Sequence, residues 1–158
     1  MANYANLGQP LKRGNSDIIV SAVYSGTIFA GRAVALDDTA TQNTTMEYIA
    51  PISASNLLFT GFVVGGDTNV KAQSTSIIKS GLSICAEFAS GQSFSIGDKL
   101  SLNNSGLLVA RGDASAVIDM NAVVKQTSII GYRIVQDTQE AEEVSNCLLL
   151  DLYNVESA

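Results

Sequence analysis

At 158 residues and 16.5 kDa the chain has the length of one domain and can bury a core without a metal or disulfide framework. It contains no histidine, which excludes imidazole triads and His-rich metal sites, and its formal net charge of −6 with nine scattered basic residues argues against a phosphate-binding stripe. The longest apolar runs, such as 57–59 and 147–150, fall far short of the roughly 20 residues that cross a bilayer, so neither nucleic acid nor membrane is an expected partner.

Residues 1–16, MANYANLGQPLKRGNS, have no hydrophobic period and no apolar stretch after a basic start, so they read as an extended arm rather than a secretory signal. Pro10 forbids regular helix there and holds Gln9 extended. From Asp17 onward, Ile18, Val20, Ala22 and Tyr24 alternate as a strand would, and Ser25-Gly26 closes it. The expected strands that follow are Arg32–Leu36, Thr45–Ala50, Leu57–Val64, Ser76–Lys79, Leu82–Phe88, Lys99–Asn103, Leu107–Arg111, Ser128–Val135 and Asn146–Tyr153. Asn103-Asn104-Ser105-Gly106 has hairpin-turn chemistry. Ala116–Gln126 fits helix or strand, and Asp137–Val144 fits one or two helical turns behind a capping Asp137 or Thr138.

Three short strings recur in the same order. Gly31 to Asp37 matches Gly97 to Asn103, Gly61-Phe62-Val63-Val64 matches Gly131-Tyr132-Arg133-Ile134, and Ile84 to Phe88 answers Leu148 to Leu152. The spacing implies two related β-units of roughly 65 residues, about 17–88 and 89–153, neither able to shield its apolar face alone. The expectation is an all-β fold: a small antiparallel β-barrel or sandwich over 17–158, with the extended N-terminal arm at 1–16. Gly31, Gly61, Gly97 and Gly131 would supply positive φ or close backbone approach at its corners.

The remaining motifs are weak as chemistry. Arg111-Gly112-Asp113 follows a strand and reads as a turn rather than a recognition tripeptide. The glycines of Gly61 to Gly66 are wrongly spaced for a dinucleotide loop, and Glu140-Ala141-Glu142-Glu143 reads as a solvated acidic stretch. Cys85 and Cys147 lack paired-motif spacing and are expected as reduced thiols. No enzyme activity, cofactor or metal site is expected.

The extended N-terminus, the Gly31–Leu36 strand, Gly97-Asp98-Lys99-Leu100-Ser101-Leu102 with its Asn103–Gly106 hairpin, Ile130-Gly131-Tyr132-Arg133-Ile134 and the final Leu148-Leu149-Leu150-Asp151-Leu152 resemble the capsid decoration, or cement, proteins of tailed bacteriophages. The resemblance implies a small barrel, made in the host cytoplasm, that binds the outer surface of the assembled head and stabilises the capsid. Its partners would be the major capsid protein and neighbouring copies of itself, as a dimer or trimer. Tyr4, Leu7, Leu11, Lys12 and Arg13 of the arm are the expected contacts, the first three by burial and the basic pair by charge. Deleting residues 2–13 would then lower capsid occupancy and leave the barrel folded. A ligand-binding β-module, such as a tail-fibre or carbohydrate-binding domain, is the competing reading and would need an aromatic platform.

Overall fold

A computed structural model describes residues 3–8, 10–12, 17–24, 26–42, 46–64, 67–68, 74–135, 138 and 140–158, with the backbone alone at 3, 4, 6, 10–12, 67, 68 and 135. These residues form no helix. The strands are β1 (Asn3–Asn6), β2 (Pro10–Lys12), β3 (Ile18–Tyr24), β4 (Ala33–Leu36), β5 (Glu47–Pro51), β6 (Phe59–Val64), β7 (Asp67–Thr68), β8 (Ser74–Glu87), β9 (Lys99–Leu102), β10 (Leu108–Ala110), β11 (Ile118–Val135) and β12 (Glu140–Ser157).

Most expected strands appear within a residue or two of their sequence limits. Three regions differ. Ser76–Lys79 and Leu82–Phe88 are one strand, β8, because Gly81 lies within the ladder instead of ending it. Ala116–Gln126 resolves to strand: from Ile118 it belongs to β11, held between β9 and β12. The helical turns expected over Asp137–Val144 are replaced by β12, which pairs Glu140 to Val144 with Val135 to Gly131; Asp137 itself lies outside the described residues.

The pairings β8–β3, β3–β5, β5–β4, β4–β6 and β6–β8 form a closed ring of five strands. Closure leaves no unpaired sheet edge within the ring. The second half of β8 continues out of it into an open sheet ordered β10–β9–β11–β12–β8.

Alternation of side chains places β8 in three cores at once. Ile77 points into the ring with Ala22, Tyr24, Ile28, Val34, Ile49 and Val63. Ile78, Ile84 and Ala86 join the largest core, which also holds Phe62, Leu100, Leu102, Leu108, Met120, Val124, Leu148 and Leu150. Cys85 faces a third cluster with Ala5, Leu7, Ala30, Ile129, Val144, Cys147 and Leu149. β4, β6 and β12 divide their side chains by the same period-two rule, which is why they read as near-continuous apolar runs.

The passage of β8 from ring to open sheet is marked by a bulge. Ile84 pairs with Leu150 and Gly81 with Leu152, so Leu82 and Ser83 together oppose Asp151. Ser83 takes φ 55°, and its N–H donates to Asp151 Oδ1 at 2.9 Å inside the protein. Lys125 Nζ lies 3.5 Å from Oδ2 of the same carboxylate. Asp151→Ala removes the acceptor of a buried N–H and should cost about 1–3 kcal/mol. Urea unfolding should show this as a lower midpoint with an unchanged slope; a midpoint equal to that of the parent would contradict the role given to Asp151.

Candidate interaction surfaces

The arm is built into the body of its own chain. β1 runs parallel to β11, Asn3 opposite Ile129 through Asn6 opposite Tyr132, and β2 runs antiparallel to β8, Pro10 opposite Ile84 and Lys12 opposite Leu82. Between them Leu7 N–H donates to Tyr132 O at 3.2 Å and Gly8 N–H to Cys85 O at 2.7 Å, so the Leu7–Gly8 step bridges β11 and β8. Leu7 is fully buried. It occupies a notch that exists because two neighbours lack side chains: a Cβ on Gly31 would strike Leu7, and a Cβ on Gly131 would lie 2.8 Å from both Leu7 Cγ and Cys147 Sγ. Gly31 also takes φ 83°, whereas Gly131 needs its lack of a side chain only for this approach.

Of the five arm residues singled out in the sequence, Leu7 is thus inside the molecule. Tyr4 lies in β1 opposite Ile130, and Leu11 and Lys12 lie in β2; their side chains, and the whole of Arg13, are outside the described residues.

Beside the notch lies a charge cluster that the sequence reading did not pick out. Glu87, the last residue of β8, accepts from Arg32 Nε at 2.9 Å and Arg32 Nη2 at 3.2 Å, a two-pronged pair, and from Arg133 Nη1 at 2.9 Å. Arg133 Nε also donates to Glu142 Oε2 at 3.1 Å, across the β11–β12 register pair. The Phe29 ring carries both cations, with guanidinium carbons 4.3 Å (Arg32) and 5.0 Å (Arg133) from its centroid. Only 6% of Glu87 and 4% of Arg133 is exposed, so these charges persist because each is paired. Burial pushes the Glu87 carboxyl up, but the two guanidiniums outweigh it and hold the group below its ordinary value. Burial likewise disfavours the Arg133 cation, and Glu142 and Glu87 more than reverse this. A carboxylate so engaged is a poor general base. The cluster instead ties the start of β4 to the ends of β8, β11 and β12. Its signal in the sequence was a lone acid after Ile84-Cys85-Ala86 and a lone base within Ile129–Val135.

The two thiols sit in the same region. Cys85 and Cys147 are both buried and unbridged, and their mutual contact, reinforced by burial, pushes the Cys85 thiol far up. Among the described residues no group of three His, Cys, Asp or Glu side chains is placed to hold a metal.

The Arg111-Gly112-Asp113 tripeptide is a turn, with its ends engaged internally. Asp113 N–H donates to Ala110 O at 3.0 Å, and Asp113 Oδ1 accepts from Ser115 Oγ at 2.6 Å and Ser115 N–H at 2.9 Å. These bonds and one from Gln92 hold the Asp113 carboxyl down at about 2. Arg111 turns back to donate to the carbonyls of Leu100 and Met120. Among the described residues the exposed large apolar side chains are Ile18, Leu57, Leu58, Leu82, Ile96 and Val117, and Tyr153 is the one exposed aromatic residue whose side chain is described.

No family model matches the chain, and no curated protein matches it. Solved structures do. A chain of the capsid of Myoviridae phage XM1 superposes with a TM-score of 0.66 at 13% identity, covering 99% of this chain and 94% of that one. The head fibre N base of bacteriophage phi29 aligns with a TM-score of 0.40 at 14% identity, covering 90% of this chain and 99% of that one. The all-β fold described above is therefore shared, almost end to end, with a protein of a phage capsid.

Proposed function

We propose that this chain is a structural virion protein that binds the outer surface of an assembled phage head and stabilises the capsid as a decoration protein. The observation that carries the reading is the fold shared with a phage-capsid chain over 99% of the residues. The energetics support it. The ring closes on itself, and β10, at the edge of the open sheet, is covered: Leu108 O accepts from Ala89 N–H at 2.9 Å and Ala110 N–H donates to Gln92 Oε1 at 2.9 Å. Such a body resists strand addition along these segments and offers a rigid surface to other proteins.

The arm shares in this proposal, with Tyr4, Leu11, Lys12 and Arg13 meeting the capsid while Leu7 fixes the arm's register on its own body. The competing ligand-binding reading gains no support from the described aromatic residues. Tyr24 and Phe62 are core residues, Phe88 and Phe94 pack edge to face at 5.3 Å, and among the described residues no row of exposed rings faces solvent.

Purified protein mixed with heads assembled from the major capsid protein of the same genome should co-sediment to saturation at a fixed copy number. The decorated heads should then keep their contents to a higher temperature. Protein left wholly in the supernatant, at concentrations up to tens of micromolar, would sink the proposal.

A further inference from the structure

The long hairpin of β11 and β12 has opposite chemistry at its two ends. At its open end, a cavity of about 170 Å³ is lined by Lys99, Arg111, Met120, Asn121, Val123 and Tyr153. Arg32, Lys79, Arg111, Lys125 and Arg133 each have a carboxylate within ion-pair distance, while Lys99 has none among the described residues. In Arg111, the buried Nε makes no hydrogen bond, its carboxylate neighbour Asp119 standing 3.6 Å away. Arg111 is already engaged by Asp119 and by the carbonyls of Leu100 and Met120, so among the described residues Lys99 is the cation left free at the cavity. A free cation beside an exposed tyrosine has the composition of a contact that accepts a carboxylate.

At the other end, where Val135 pairs with Glu140, β12 presents Glu140 and Glu143 to solvent. Glu142 is engaged by Arg133 and Glu143 takes one bond from Tyr132 Oη, whereas the Glu140 carboxylate has no partner among the described residues. Along β12, Tyr153 lies 10 residues from Glu143 and 13 from Glu140, roughly 33–43 Å at about 3.3 Å per residue. The two ends are therefore too far apart to satisfy each other within one copy.

We propose that copies of this chain associate head to tail, the Glu140–Glu143 end of one β11–β12 hairpin seating its carboxylates at the Lys99–Arg111–Tyr153 cavity of the next. The contact is heterologous, so it closes into a ring when the rotation between copies divides a full turn. It concerns contacts between copies alone and does not depend on the head-binding reading.

The test is light scattering of the full chain as a function of concentration, at about 50 mM and about 500 mM salt, where a charge-driven contact is strong and screened respectively. The expected result is an oligomer at low salt that dissociates at high salt. Lys99→Glu and Glu140→Lys, both at exposed positions, should each weaken association at least tenfold with circular dichroism unchanged. The double variant Lys99→Glu/Glu140→Lys, which restores opposite charges in every contact, should recover it. A monomer at low salt throughout the concentration range, or a double variant no better than the single ones, would overturn the proposal. Head co-sedimentation of the same variants reads the decoration role separately.

Discussion

Glu87→Gln is expected to destabilise the protein by about 3–5 kcal/mol, among the largest effects available to one substitution. The isosteric amide removes the negative charge between Arg32 and Arg133 and leaves the guanidinium of Arg133, 4% exposed, with Glu142 as its one carboxylate partner among the described residues. The penalty comes from the stranded cation; the intact cluster need not be worth that much against an apolar replacement of the whole set. The same carboxylate gives a pH signature. Its folded-state pKa lies below its ordinary value, so its contribution is complete above the unfolded pKa of about 4.3 and is lost as pH falls through the folded value. The parent should lose stability in acid more steeply than Glu87→Gln, and the two unfolding curves should converge at low pH. Equal stability of the two proteins at pH 7 would show that the cluster is not a tie between β4, β8, β11 and β12.

The second large effect concerns the arm. Leu7→Ala should cost about 2–5 kcal/mol, because the notch is walled by β8, β11 and two glycines and cannot easily collapse. Gly131→Ala should cost about 1–3 kcal/mol by overpacking, since its new methyl would lie 2.8 Å from Leu7 Cγ and from Cys147 Sγ. Combining them is the informative step. The alanine at position 7 removes one of the two clashing neighbours, so the double variant should be more stable than the sum of the single effects by about 1 kcal/mol or more. The sulfur of Cys147 keeps the rescue incomplete. Strict additivity in urea titrations would mean that Leu7 and Gly131 do not touch. The same geometry revises the expected outcome of deleting residues 2–13: the truncation opens the third core and unpairs one edge of β11 and β8, so it should lower stability as well as any occupancy on a capsid.

The strands were legible where a period of two survived burial on both faces, as in Ile18 to Tyr24 and in the Lys99 to Ala110 hairpin. Local chemistry also revealed the two turns. Asn103 Oδ1 accepts from the N–H groups of Ser105 and Leu107, and Asp113 does the equivalent for Ser115. Tertiary pairing decided the rest. Gly81 reads as a chain break, yet the bulge across from Asp151 lets β8 continue through it. The acidic Glu140–Val144 segment has a composition poor in strand formers, and it is extended because β11 templates it. The charge cluster joins residues 46 and 55 positions apart, a separation at which spacing carries no signal. Burial of Leu7 depended on Gly31 and Gly131, which the sequence suggested as corners without saying what they approach.

We propose that this β-body, a closed five-stranded ring with an attached open sheet, is a component of a phage head surface. Cryo-electron microscopy of heads saturated with the purified protein tests it most directly. The account predicts density matching the five-stranded ring and its attached sheet on the outside of the shell, at equivalent lattice positions. Bare shells under saturating protein, or density confined to the interior or the tail, would contradict it.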